Sequence, residues 1–584
     1  MQELGTDLVL MCSNVAADCL GEREFLLEDL GLAAERAGAR GLRVGYEALA
    51  WGRHVNTWQQ IWDLVREVDH PALGVILDSF HTLSLKGDPA GIAQIPGEKI
   101  FFVQMADAPI LAMDVLEWSR HFRNFPGQGE FDLPGFLAPI LQSGYRGPLS
   151  LEIFNDGFRA APPRANAADG LRSLLYLEEK TRERLLGEGM PQEQLDCLFA
   201  PPPASQLDGV EFLEFAVDEA LGARLGNWLE RLGFARAGEH CSKAVSLLRQ
   251  GDINIVLNAE PYSFGHSFFE AHGPSLCATA LRVRGAASAL ERAQDYKGQP
   301  YRGLVGPNER EIPAVRAPDG SLIYLVEERA SGQTIYDVDF RLDPEARPSG
   351  RLQRIDHMAL ALPADGLDSW VLFYKGLFDF EADDEVVLPD PYGLVKSRAL
   401  RSANGSVRLP LNISENRNTA ISHALSSYRA PACTTSPSPA RTSSPRWRGP
   451  RMPACLCWKF RSTTMTISPL ASTSTTNSSA SWPTSMCSTT AMPTAASCST
   501  SIPNRSRGAS SSKSSSGAAV MPVMVRPMSP CAWRPWPRHA TAPRAGRRSE
   551  PAALCLKGAG ARIIRGFFHR TAGALAPADR CPSP

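Results

Sequence analysis

No stretch of the 584 residues reaches the roughly 18 consecutive apolar side chains that a membrane-spanning helix needs. The opening residues, MQELGTDLVL, lack the basic segment, apolar stretch and small-residue cleavage pattern of a secretory signal. Cysteine is sparse where the chain reads as folded: only Cys12, Cys19, Cys197, Cys241 and Cys277 precede residue 430, too widely spaced for a disulfide framework. That pattern suits a reducing cytoplasm. Excess positive charge is also missing there, since residues 1–429 carry 41 Lys and Arg against 60 Asp and Glu. An acidic surface of this kind speaks against nucleic acid as a partner.

The sharpest absence is of acids. Between Asn416 and Ser549 there is no Asp or Glu, and residues 430–584 hold 20 basic and 2 acidic side chains. A gap of that length arises by chance on the order of 10⁻⁷ at ordinary composition. The same stretch is rich in Ser, Thr, Pro and Arg without helical or strand periodicity, and such a composition cannot bury a core. The change falls within SSYRAPACTT, in the middle of an unfinished pattern of strands. The expectation is a disordered tail over 430–584 translated out of frame, the alternative being a genuine basic tail. Translating its coding DNA in the other two frames separates the two.

What is present begins as alternating strands and helices. Apolar runs predict strands at Leu8–Cys12, Arg43–Glu47, Leu73–Asp78, Ile100–Gln104 and Pro148–Ile153. Amphipathic patterns predict helices around Glu24–Ala39, Trp58–Val68, Leu133–Ser143 and Ala165–Leu186. This alternation implies parallel strands and an α/β architecture. A closed (β/α) barrel has eight strands over about 250 residues, so the reading is an incomplete TIM barrel in residues 1–199, short of about three β/α units at its start. An open five-stranded sheet is the alternative.

Four oxygen-bearing side chains stand where these strands end: Glu47, Asp78, Gln104 and Glu152. The C-terminal ends of barrel strands are where such folds build their sites. Three carboxylates and one amide form a hard donor set suited to a divalent metal ion, Mg²⁺ or Mn²⁺ rather than zinc. His81, three residues past Asp78, is placed to serve as a general base near neutral pH. Its alternative is a packed histidine bonded to backbone. In the long loop after Gln104, Ser119 and Arg123 are four apart and share one face of a helical turn. Arg123 would suit an anionic substrate, with Arg120 and His121 competing for the role.

The APPPAS stretch at 200–205 reads as a linker. After it, strand, helix and three strands recur as a tandem α+β βαβββ pair, one copy over 206–345 and a truncated one over 350–429.

The blocks GYEALAWGRHVNTW, LDSFHTLSLKGDP, EKIFFVQMADAP, RHFRNFPGQGEFD and GPLSLEIFNDGFR resemble the bacterial two-domain 3-dehydroshikimate dehydratases. In that family a xylose-isomerase-like TIM barrel is fused to a 4-hydroxyphenylpyruvate dioxygenase-like domain. The resemblance implies a cytoplasmic lyase that dehydrates 3-dehydroshikimate to protocatechuate in quinate and shikimate catabolism. Glu47, Asp78, Gln104 and Glu152 would then hold the metal, and His81, Ser119 and Arg123 would address the substrate. A homo-oligomer is compatible with it, and no membrane or nucleic-acid partner is implied. An inactive fragment of such an enzyme and a sugar isomerase of the same barrel superfamily are the alternatives. In the dioxygenase-like half, the resemblance puts His357 at the first iron-ligand position and Phe212 at its counterpart in the first copy. The other two ligands of such a triad are missing, so His357 is read as structural.

Overall fold

The computed structural model describes residue 3, residues 5–328 and 331–427, and two short strands, Leu456–Arg461 and Met524–Arg526. Apart from those two strands, the basic tail expected to be disordered and out of frame lies outside the described residues.

The first five strands are β1 (Leu8–Cys12), β2 (Arg43–Glu47), β3 (Leu73–Asp78), β4 (Ile100–Met105) and β5 (Leu149–Leu151). They pair in that order and all run parallel, giving part of a (β/α) barrel. Every residue of β3, LGVILD, is buried, as a central parallel strand covered on both faces requires. The helix Trp58–Val68 shows how sequence sets the packing. Thr57 and Gln60 form a capping box at its start, and Asp69 ends it in the left-handed region at φ 44°. Trp58, Ile61, Leu64 and Val65 face inward, each stabilising the layer by about 1.5–3 kcal/mol when fully buried. Ile61→Ala in that layer would cost about 2–5 kcal/mol.

The second half departs from the expected tandem pair. Residues 206–345 hold the strand, helix, three-strand pattern twice. It runs first through Leu207–Ala216, Glu219–Arg231, Ala235–His240, Val245–Gln250 and Ile253–Asn258. It then repeats through Ser275–Val283, Ala286–Asp295, Gln299–Tyr301, Ala314–Arg316 and Leu322–Val326. Strands Leu207–Ala216 and Ser275–Val283 pair antiparallel and join the two units in one nine-stranded sheet. The repeat is faint in sequence because two of its strands are only three residues long, too short for a period-two pattern to register. A third unit follows, with strands Arg354–Ala361, Val386–Asp390, Gly393–Arg401 and Arg408–Ile413 and the helix Leu367–Phe378. His357 lies there with Nδ1 3.0 Å from Asp356 Oδ2, and Phe212 is buried.

The helix Pro163–Gly187 follows β5 in the chain but also binds the second half. Glu179 accepts from Arg292 at 2.7 and 3.0 Å and from the Tyr296 hydroxyl. Asp169 accepts from Arg172 and from Ser369, each at 2.5 Å. Lys180 pairs with Asp379 at 2.9 Å. The 200–205 stretch is itself held, since Pro202 O accepts from Arg292 at 2.9 Å. Among the described residues no helix is long and apolar enough to cross a membrane, and the five described cysteines are free thiols.

Candidate active site

Glu47 is the last residue of β2, Asp78 the last of β3, Gln104 the penultimate residue of β4 and Glu152 the first after β5. Asp78 and Gln104 are direct register partners. The parallel pairing therefore delivers four oxygen-bearing side chains to one edge of the sheet. Asp78 has two duties: Oδ1 caps the helix Ser79–Ser84 by accepting from Phe80 N at 2.6 Å and His81 N at 3.2 Å, and Oδ2 faces the site. That cap fixes the short helix that carries His81.

Arg123 is the hub of the arrangement. Its Nη1 donates to Asp78 Oδ2 at 2.9 Å and to Glu152 Oε2 at 2.8 Å, while Nε and Nη2 donate to Ser119 Oγ at 3.1 and 2.9 Å. The guanidinium lies over the rings of Phe80 and Phe154, 4.7 and 5.3 Å from their centroids. Ser119 reaches it from the helix Val115–His121, where Trp118 and Ser119 are buried while Arg120 is exposed. Ser119 and Arg123 do meet, but not on one helical face, since the helix ends at His121 and Arg123 lies beyond it. The competitors point elsewhere, for His121 is half-exposed and pairs with Asp156 at 2.8 Å.

Three buried or half-buried carboxylates surround one guanidinium. Burial, with the charges of Asp78 and Glu152, pushes the Glu47 carboxyl well above the usual range. Burial likewise lifts Glu152 to about 7. Burial also works against Asp78, but the Arg123 charge outweighs it and holds that carboxyl below its ordinary value. Two acceptors, Glu47 Oε1 and Gln104 Oε1, are buried without a hydrogen-bond partner. Unsatisfied buried acceptors beside uncompensated negative charge are costly unless a cation meets them. Three carboxylates against one guanidinium leave a deficit that a divalent ion would close. Ligand atoms of Glu47, Asp78 and His81 also lie within 4.8 Å of one another. The residues fit a divalent metal.

The contacts of His81 and Arg123 bear on the roles expected of them. His81 Nδ1 accepts the backbone N–H of Ala50 at 3.1 Å, a contact that favours the proton of the neutral ring on Nε2. Burial lowers its pKa to about 4, keeping it neutral at pH 7. Nε2 faces Glu47 Oε1 at 3.7 Å and Asp78 Oδ2 at 3.9 Å. Nε2 also lies 3.4 Å from Arg123 Nη2, which can only donate, so both ring nitrogens face donors and the neutral ring can accept from one of them. The shorter Ala50 contact favours a proton on Nε2, whereas the Arg123 contact asks Nε2 to accept, as a base would. Arg123, expected to hold a substrate anion, is instead committed to the site's own carboxylates and to Ser119. The reason is physical: a buried guanidinium needs counter-charges within reach, and Asp78 and Glu152 provide them.

Other members of the site were not singled out from sequence. Cys12 Sγ lies 3.5 Å from Glu47 Oε2, and burial and the Glu47 charge push its thiol up to about 12. Phe80 and Phe154 carried a readable signal, since each stands two residues after a strand-end carboxylate, Asp78 and Glu152. Ala50 carried none, because its contribution is a backbone N–H.

The geometry defines a partial (β/α) barrel with an oxygen-rich, cation-suited site at the ends of its strands, continuous with an α+β half of βαβββ units. A family described as "Xylose isomerase-like TIM barrel" matches residues 1–177, and one described as "Hydroxyphenylpyruvate dioxygenase, HPPD, N-terminal" matches 202–341. A 3-dehydroshikimate dehydratase of Pseudomonas putida is 78% identical over 429 residues, covering 74% of this chain and 67% of that protein. Its counterpart from Pseudomonas aeruginosa is 77% identical over 430 residues, covering 74% and 68%. A solved xylose isomerase-like TIM barrel/4-hydroxyphenylpyruvate dioxygenase fusion protein superposes with a TM-score of 0.68 at 77% identity, covering 74% of this chain and 68% of that one. The chain belongs to the 3-dehydroshikimate dehydratase family, and it spans about two thirds of the length of these relatives.

Proposed function

We propose that the protein is a metal-dependent lyase that dehydrates 3-dehydroshikimate to protocatechuate. The observation that supports this reading is that Glu47, Asp78, Gln104 and Glu152 stand at the ends of four neighbouring parallel strands, with Glu47 Oε1 and Gln104 Oε1 buried and without hydrogen-bond partners. The identity of 78% to a relative named for that activity supplies the substrate. The elimination removes a proton from the carbon beside the ketone and the hydroxyl one carbon further on. Proton and hydroxyl leave as water, and enolisation of the resulting dienone, in which the ring CH2 loses a proton and the ketone oxygen gains one, makes the ring aromatic.

Glu47, Asp78, Gln104 and Glu152 would hold the ion, with Mg²⁺ or Mn²⁺ favoured by an all-oxygen donor set. What such an ion supplies when bound is polarisation of the ketone oxygen. With Nδ1 accepting from Ala50, His81 would present Nε2–H toward the same place, and a neutral imidazole donating to a developing oxyanion stabilises charge without giving up its proton. Arg123 neutralises Asp78 and Glu152 and is itself oriented by Ser119, so the donor set is fixed before substrate arrives. Phe80 and Phe154 exclude water from the guanidinium faces. We place the reaction in the cytoplasm and in quinate and shikimate breakdown, following the relatives' named activity.

The test is direct. Purified chain with 3-dehydroshikimate and Mg²⁺ or Mn²⁺ should generate the absorbance of protocatechuate, and EDTA should suppress it. Glu152→Ala should abolish the metal-dependent rate and weaken metal binding. Unchanged metal affinity in that variant would remove Glu152 from the ligand set.

A further inference from the structure

The loop between β4 and the helix Leu133–Gln142 carries both Ser119 and Arg123, and its return limb starts at Asn124. On its inner side this limb is stitched to the end of β4. Asp107 N donates to Asn124 O at 2.9 Å, and Asn124 N donates to Asp107 O at 2.7 Å. The Asp107 carboxylate accepts from the backbone N–H groups of Ala108, Gly127 and Phe131 at 2.9–3.0 Å.

On its outer side the limb is held by the dioxygenase-like half. Asn124 Nδ2 donates to Asp368 Oδ2 at 3.2 Å, Lys375 Nζ donates to Gly127 O at 2.8 Å, and Arg398 Nη1 donates to Gln128 O at 3.2 Å. Asp368 and Lys375 belong to the helix Leu367–Phe378 and Arg398 to the strand Gly393–Arg401. All three contacts bridge more than two hundred residues of sequence and fall within the five residues directly after Arg123. Beneath the limb is a cavity of about 200 Å³ bordered by Asp107, Gly127, Glu130, Tyr176, Lys180 and Lys375. The limb is packed on its inner face, where Asn124, Phe125 and Gln128 are buried and Phe125 stacks on Phe158, and toward the cavity its hydrogen bonds to the second half hold it. Gly127, at φ 87°, has no room for a side chain, since an added Cβ would meet the Tyr176 ring at 2.6 Å.

We propose that the dioxygenase-like half acts as a brace for the barrel's site, with Asp368, Lys375 and Arg398 as positioning residues that fix residues 124–128 and, through them, Arg123 and Ser119. The kinetic consequence rests on the dehydratase reading, whereas the mechanical one does not. A site held to within a fraction of an ångström loses rate steeply when its support loosens.

The experiment uses the full chain with Lys375→Met, which removes the ammonium and keeps the stem, and with Lys375→Arg, Asp368→Ala and Arg398→Ala. Amide hydrogen exchange is followed over 119–128, with the helix Trp58–Val68 as internal reference. In K375M the amides of 124–128 should exchange about tenfold faster, the loss expected for one charge-assisted hydrogen bond. The reference helix should be unchanged, and K375R should restore protection. kcat should fall about tenfold with KM changed less, because the brace orients groups that act in the reaction. Unchanged exchange over 124–128 in K375M, D368A and R398A alike overturns the proposal, as does faster exchange with an unaltered kcat. If the unmodified chain forms no protocatechuate, the dehydratase reading falls and the exchange result alone decides whether the brace exists.

Discussion

The backbone N–H of Ala50 lies 3.1 Å from Nδ1 of His81 and competes with Arg123 Nη2, 3.4 Å from Nε2, for the one acceptor nitrogen of the neutral imidazole. When Nδ1 accepts, Nε2 carries the proton, 3.7 and 3.9 Å from the Glu47 and Asp78 carboxylates, and the kinetics of His81 variants test that state. His81→Ala should lower kcat by about 10²-fold, the scale of one lost donor to a developing charge. His81→Gln, whose amide can still donate, should keep a measurable part of the rate. Steady-state kinetics of both variants make the comparison, and a Gln variant as slow as the Ala variant with an intact fold would return His81 to the base role.

Arg123 leads to a stability prediction. Arg123→Met leaves Asp78, Glu47 and Glu152 without their internal cation. The metal-free protein should lose about 3–5 kcal/mol, the usual cost of removing one partner from a buried ion pair. Millimolar Mg²⁺ should restore much of that loss. Thermal melts in EDTA and in Mg²⁺ test this, and equal destabilisation in both would mean that Arg123 and the cation do not compensate for each other.

Among the contributions to the pH dependence of the metal-free chain, those of His81 and Glu152 oppose each other. The His81 pKa falls to about 4 from 6.5, so its contribution is fully present above pH 6.5 and is lost as pH falls toward 4. The Glu152 pKa rises from 4.5 to about 7, so its contribution is present below pH 4.5 and is lost as pH rises through 7. Comparison with His81→Gln isolates the first. Relative to that variant, the unmodified chain should gain about 3 kcal/mol between pH 4 and 6.5, read from denaturant midpoints. A flat difference over that window would contradict the buried neutral ring.

Glu179 and Arg292 are predicted to be strongly coupled. Either Glu179→Ala or Arg292→Ala should cost about 3–5 kcal/mol by stranding a buried charge. The double variant should cost clearly less than the sum of the two. Denaturant titration of all four proteins gives the coupling energy.

Much of the barrel half was legible because its information is local. Each strand is an apolar run that stops at a polar loop, and Leu8–Cys12, Arg43–Glu47 and Leu73–Asp78 form where those runs lie. The same rule placed Glu47, Asp78, Gln104 and Glu152 at one edge, since parallel strands must end together. What escaped sequence reading is non-local or carried by backbone. The proton position on His81 depends on a backbone amide 31 residues away and a guanidinium 42 residues away. The duty of Arg123 depends on two carboxylates 45 and 29 residues distant. The doubled βαβββ pattern in 206–345 was hidden by strands too short to show a period.

The helix Pro163–Gly187 also changes where the molecule can be divided. Cutting the chain at residues 200–205 would leave Glu179 with an unmet negative charge on one piece and Arg292 with an unmet positive charge on the other. The seam visible in the sequence is therefore not a seam in the thermodynamics. Calorimetry should record a single transition whose van't Hoff enthalpy equals the calorimetric one, with the barrel and the sheet beside it melting together.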